Sequence, residues 1–179
     1  TQEATTELKE LFNGEQVFDS PKPVRLLERI LELGCNGKGE IVLDFFAGSG
    51  TTAHAAMKRS ASGKSTRFIA IQLPEPIVSD NFKNIAEITR ERLKRVSTQL
   101  RACGTGGADT GFRTFKLDTS NIRAWNPNPS DLKDTLFANL EHLAPERSDD
   151  DVLYEILLKL GLDLCVPIEK REIAGKQVN

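Results

Sequence analysis

Between residues 41 and 57 the chain reads IVLDFFAGSGTTAHAAM, and this stretch limits the possible folds more than any other. Residues 41–46 form a short, mostly apolar run, the pattern of a strand buried on both faces of a parallel sheet. Two glycines, Gly48 and Gly50, then break the run, and the small residues at 53–57 open a helix. Strand, tight turn and helix in that order predict a βα unit and an α/β fold. A glycine turn in this place lets the backbone approach a ligand closely and aims helix N–H groups at it. The spacing is neither GxxxxGK[ST], since no Lys follows Gly50, nor GxGxxG, since position 53 is Ala. A nucleoside triphosphate is therefore disfavoured and a nicotinamide cofactor weakened. What remains is Asp44 at the end of one strand and Gln72 or Glu75 at the end of the next. An acid at the first position suits an ammonium, and a polar group at the second suits ribose hydroxyls, the two ends of S-adenosylmethionine. A turn that is only structural stands beside this reading.

The remaining segments extend the α/β pattern. Val24, Leu26, Leu27, Ile30 and Leu31 recur at helical spacing over residues 20–33, with Ser20-Pro21 as N-cap and first-turn proline. Residues 67–72 read as a second buried strand. A long helix is predicted over 79–101, with Phe82, Ile85, Ile88, Leu93, Val96 and Leu100 on one stripe. GTGGAD at 104–109 reads as a linker, and the apolar/basic alternation at 112–117 as an edge strand. After the turn cluster at 126–129, helices are predicted over 130–143 and 148–160, the second opened by Asp149, Asp150 and Asp151 at the positive end of its dipole. At 179 residues, with 39% apolar side chains, the chain is long enough for one core and an appendage. The expected domains are residues 1–120 and a helical extension, 121–179. Basic and acidic residues nearly balance, 24 against 26, so net charge argues against a protein that mainly coats phosphate backbones. Cys35, Cys103 and Cys165 show no metal-ligand spacing, which predicts reduced thiols in a cytoplasmic protein without a metal site. No apolar run approaches a membrane span.

Residues 44–52, DFFAGSGTT, resemble the S-adenosylmethionine-binding motif of the DNA amino-methyltransferases, usually Asp-Pro-Phe-x-Gly-Ser-Gly-Thr-Thr. More closely, DFFAGSGTTAHAAM is similar to the modification (Mod) subunits of type III restriction-modification systems. FDSPKP at 18–23, RFIAIQLPEP at 67–76 and GFRTFKLDTSNIRAW at 111–125 agree in order, and the stretch through IEKREIAGKQV resembles the C-terminal region of those subunits. The resemblance implies a partial Rossmann-like methyltransferase sheet, S-adenosylmethionine as cofactor, and methyl transfer to the N6 amino group of adenine in double-stranded DNA by the intact enzyme. It places Lys22 and Pro23 against the methionine end of the cofactor. It places Asp44, Phe46, Ala47, Gly48, Ser49, Gly50, Thr51 and Thr52 in the cradle, and Gln72 or Glu75 at the ribose. The sequence departs from the general pattern in two places: Phe45 stands where Pro is usual, and Gln72 where the strand often ends in Glu. The Asp/Asn-Pro-Pro-Tyr/Phe motif that holds the target amino group has no counterpart, because the chain contains no Pro-Pro pair. No catalytic residue is therefore expected here. The motif order implies a catalytic half and a target-recognition region earlier in a longer polypeptide. The implied partners are a second Mod copy and the restriction (Res) subunit.

Other candidates read as structural. His54 has no acid or nucleophile patterned with it and is expected to pack, and His142 is expected to close a helix. Lys83, Arg90, Arg92, Lys94, Arg95 and Arg101 on the long helix are interrupted by Glu87 and Glu91 and read as a solvated face rather than a DNA track. Trp125 is expected to pack the appendage on the core, with Arg113, Lys116 and Arg123 a weak DNA-contact set. The alternative function is a non-catalytic docking module built on the last helix, with Val152, Leu153, Ile156, Leu157 and Leu160 as its apolar contacts. Three expected strands fall well short of a doubly wound sheet. The strand at 41–46 should thus be a raw edge, and Thr1 in place of Met is read as a cut inside a longer chain.

Overall fold

The computed structural model describes residues 2–104, 109–125, 129–131 and 142–178. The chain divides into two compact units, Thr1–Thr114 and Phe115–Asn179.

In the first unit, helices α1 (Gln2–Leu11), α2 (Val24–Gly34), α3 (Thr51–Ala61) and α4 (Ile85–Ala102) accompany strands β1 (Lys38–Asp44) and β2 (Ser65–Ala70). The strands pair in parallel, Val42 opposite Phe68 and Leu43 opposite Ile69, joined by the crossover helix α3. The ladder runs on past β2, with Ile71 N donating to Asp44 O and Ala47 N to Ile71 O.

One sheet face meets the helices. Val42 and Phe68 pack with Val24, Leu31, Ala55 and Ala56, and Phe68 and Ala70 also flank the larger cluster of Leu8, Leu11, Phe12, Met57, Ile88, Leu93 and Val96. The opposite face carries Ile41, Leu43, Ile69 and Ile71, all about half exposed. This corrects the expectation of strands buried on both faces. Apolar runs suited to a two-sided burial stand here in a two-stranded sheet that the described residues cover on one side. Among the described residues β1 pairs only with β2, leaving its other edge open.

Element ends differ from the sequence-based expectation for local reasons. Pro23, extended at φ −65° and ψ 134°, caps α2, so the helix starts at Val24 rather than at Ser20. Helix α4 starts at Ile85 because Asn84 takes the N-cap: its Oδ1 accepts from Glu87 N, while Glu87 Oε2 accepts from Lys83 N. Helix α1, with Ala4, Leu8 and Leu11 turned inward, was not expected from the sequence. The expected strand at 112–117 is absent. Phe112 packs against the core of the first unit and Phe115 meets Tyr154 within the second, so the alternation reflects separate anchoring contacts rather than sheet pairing.

In the second unit, α5 (Asp149–Lys159) has a capping box, Ser148 and Asp151 bonding reciprocally. Glu155 binds Ser120 Oγ, Asn121 N and Lys159 Nζ, which hold its carboxyl down at about 2, with Lys159 the largest cause. Phe115 and Tyr154 meet edge to face at 4.9 Å. A short hairpin, β3 (Arg171–Ile173) and β4 (Lys176–Val178), turns at Ala174 and Gly175, both at positive φ, and was not expected either. Trp125 is 55% exposed. The helix predicted over 130–143 falls mainly outside the described residues.

Truncating Ile88, fully buried, to Ala is expected to cost about 2–5 kcal/mol. Truncating half-exposed Ile69 to Ala should cost roughly 1 kcal/mol or less, because most of its transfer energy was never gained. Urea unfolding followed by circular dichroism measures both, and equal losses would contradict a one-sided core.

Candidate cofactor-binding loop

The chain leaves β1 at Asp44, turns through residues 45–50 and enters α3 at Thr51. Asp44 Oδ1 accepts from Phe46 N at 3.1 Å, which tightens the first step of the turn. Gly48 (φ +53°) and Gly50 (φ +81°) both lie in the left-handed region, where a side chain costs energy. Gly50 caps α3 from that conformation. A Cβ there would also meet Thr89 Cγ2 at 3.0 Å, whereas a Cβ at Gly48 would find Phe18 at an ordinary 3.6 Å. Gly50 is thus required twice, by its backbone angle and by the close approach of α4.

Three elements hold the loop. From the end of β2, Gln72 Oε1 accepts from Gly48 N at 2.7 Å, while its Nε2 donates to Leu73 O at 3.1 Å and lies 3.4 Å from Glu75 Oε2. From α4, Thr89 Oγ1 donates to Gly48 O at 2.5 Å. Also from α4, Arg92 Nη1 donates to Ser49 Oγ and Thr51 Oγ1, both at 2.9 Å, and its Nε reaches His54 Nδ1 at 3.4 Å. The third element is Phe18, whose ring lies beside Gly48.

Burial, with Arg92 and Lys58 nearby, holds His54 well below the usual histidine range, at about 3. The imidazole is therefore neutral and able to accept the Arg92 bond. Burial likewise lowers the Arg92 guanidinium to about 10, opposed by the charge of Glu7.

Of the residues the sequence singled out, Asp44, Ala47, Gly48, Ser49, Gly50, Thr51, Gln72 and Glu75 are brought together by the bonds above. Phe46 is 83% exposed and meets Phe45 edge to face at 5.5 Å. Thr52 lies in the first turn of α3. Lys22 is exposed, and FDSPKP reaches the loop through Phe18 instead.

The basic series on α4 is not one solvated face. Arg92 is buried, Arg95 lies over the Phe12 ring and donates to Leu11 O, and Arg101 bonds Thr110. Phe18, Thr89 and Arg92 were missed as loop contacts. A signal for Arg92 was present, because it stands midway between Ile88 and Val96, four residues from each, on the inward stripe of the helix.

Residues 2–83, which contain the loop and its strands, match the family model described as DNA methylase. The chain is also similar to modification subunits of type III restriction-modification enzymes. It is 36% identical over 180 residues to the EcoP15I Mod subunit of Escherichia coli, covering 96% of this chain and 26% of that protein. It is 38% identical over 125 residues to the StyLTI Mod subunit of Salmonella typhimurium, covering 65% of this chain and 19% of that protein. The type II methyltransferase M.KpnI of Klebsiella pneumoniae is 40% identical over 105 residues, covering 54% and 24%. The chain thus spans about a quarter or less of the length of these relatives.

Gly50→Ala should lose the roughly 1–2 kcal/mol of a left-handed alanine and a further contact cost at Thr89. Thr89→Ser in that background should restore the contact part only. Gly63→Ala, at φ +85° with open space around it, should show the backbone cost alone. Urea midpoints decide, and equal losses at Gly50 and Gly63 would show that α4 does not press on the loop. The depressed His54 makes a second test. Its neutral form is favoured by folding, so its contribution is full above about pH 6.5 and falls as pH drops towards 3, with a slope of about 1.4 kcal/mol per pH unit. His54→Gln should flatten the loss of stability between pH 6 and 4, and an unchanged slope would contradict a buried neutral imidazole.

Proposed function

We propose that the chain is the S-adenosylmethionine-binding portion of a DNA adenine-N6 methyltransferase of a type III restriction-modification system. The observation that carries this reading is the loop from Asp44 to Thr52, in which a strand-end acid, two left-handed glycines and a helix N-terminus lie inside the segment matched as DNA methylase. The donor set fits the cofactor. Asp44 offers a carboxylate to the ammonium of the methionine end, and the backbone of residues 47–52 lines the turn. Gln72 already spends its carbonyl on Gly48 N, which favours Glu75 as the acceptor for ribose hydroxyls. Lys22 and Pro23 belong to the methionine side in this reading, and exposed Phe46 to the rim.

When bound, the cofactor supplies an electrophilic methyl on a sulfonium. The part played by this chain is to bind and orient it, so that an incoming amino nitrogen meets the methyl in line. The target adenine must leave the DNA stack to be reached. The residues that hold it lie, in this reading, in the rest of a longer cytoplasmic protein, along with the target-recognition region. The uncovered apolar face and open edge of β1 support completion of the Rossmann-like sheet by that part. Residues 1–120 are then the cofactor-binding part and 121–179 the extension, with double-stranded DNA, a second modification subunit and the restriction subunit as partners. A second reading, a docking module with a structural turn, draws support from the inward bonds that Thr89 and Arg92 make to the loop.

Titration calorimetry with S-adenosylmethionine separates the two. Saturable heat is expected, weakened about ten- to a hundredfold in Asp44→Asn, since a hydrogen bond to a charged group contributes about 1.5–3 kcal/mol. Absence of heat would leave the docking reading. The chain alone should transfer no methyl to DNA, and label incorporated into DNA by the pure chain would contradict the division of labour.

A further inference from the structure

We propose that Arg92 is a positioning residue that sets the shape of the cofactor loop from behind. The functional half of this inference rests on the cofactor reading above, whereas the conformational half stands without it. Arg92 is 1% exposed and projects from α4 at a position whose neighbours on the stripe, Ile88 and Val96, are apolar and buried. A buried guanidinium is costly to desolvate, and an apolar side chain of similar length would fill the volume without that cost. Among the described residues, the carboxylate whose charge acts on it is Glu7, which itself accepts from Val24 N at 3.0 Å. Among the described residues no acid lies within ion-pair distance of the guanidinium, and the charge of Glu7 offsets only part of the cost of burial.

Its hydrogen bonds account for its presence. One planar group contacts Ser49 O at 3.3 Å, Ser49 Oγ and Thr51 Oγ1 at 2.9 Å, and His54 Nδ1 at 3.4 Å. These acceptors run from the last turn of the loop into the first turn of α3. A rigid fork bonded to all of them fixes where the loop ends and the helix begins, which a flexible ammonium cannot do with the same geometry. Neutral His54 is part of the device, because only an imidazole without a proton on Nδ1 accepts the Nε–H bond.

The test compares amide hydrogen exchange and S-adenosylmethionine affinity in the wild-type chain, Arg92→Lys and Arg92→Met. Both variants should speed exchange at Gly48, Gly50 and His54 at least about tenfold relative to Ala56, Ile88 and Val96, and both should weaken cofactor binding by a similar factor. Lysine should not rescue. Loop and core amides accelerating in equal proportion, or a loop unchanged in Arg92→Met, would overturn the proposal. If Arg92→Met does not fold, Ser49→Ala carries the same comparison, because it removes one acceptor and leaves the others. If the wild-type chain binds no cofactor, the cofactor reading fails, while the exchange result still decides whether Arg92 sets the loop.

Discussion

The fold of the first unit depends on the contact between α4 and the glycine turn. Thr89 and Arg92 lie one helical turn apart and reach the carbonyl of Gly48, the carbonyl and hydroxyl of Ser49 and the hydroxyl of Thr51. The turn accepts this only because Gly50 has no side chain to meet Thr89. Gln72 takes the N–H of Gly48 from the other side, so the loop is bonded through both its donors and its acceptors. The left-handed glycines are therefore structural: they turn the chain out of β1, and Gly50 lets α4 close on the loop.

The sheet is a separate constraint. Two parallel strands buried on one side, with Ile41, Leu43, Ile69 and Ile71 half exposed on the other, form half of the layered arrangement that such strands are built for. The chain spans about a quarter of the length of the EcoP15I subunit, and among the described residues the open face and open edge lie on the strands that bear the loop.

Much of this was legible in the sequence, and the reasons differ by element. The βα unit at 41–57 was readable because an apolar run, two glycines and small helix residues are each local signals. Helix α4 was readable from its stripe, but its start was not, since Asn84 competes for the cap through side-chain bonds that periodicity does not register. Helix α1 was missed although Ala4, Leu8 and Leu11 sit on one face. No strand forms at 112–117 because alternation records only which side chains are anchored: Phe112 packs on the first unit's core and Phe115 on Tyr154, with no partner strand among the described residues. The loop residues are legible from their motif, whereas the mixed charges of α4 point to a solvated face and only the stripe position of Arg92, four residues from both Ile88 and Val96, sets it apart.

Amide chemical-shift mapping on the isotopically labelled chain during addition of S-adenosylmethionine tests whether this loop is a cofactor cradle. Saturable shifts are expected at residues 44–52 and 72–75, with the hairpin at 171–178 unmoved. Shifts absent throughout, or confined to the second unit, would contradict a cofactor cradle.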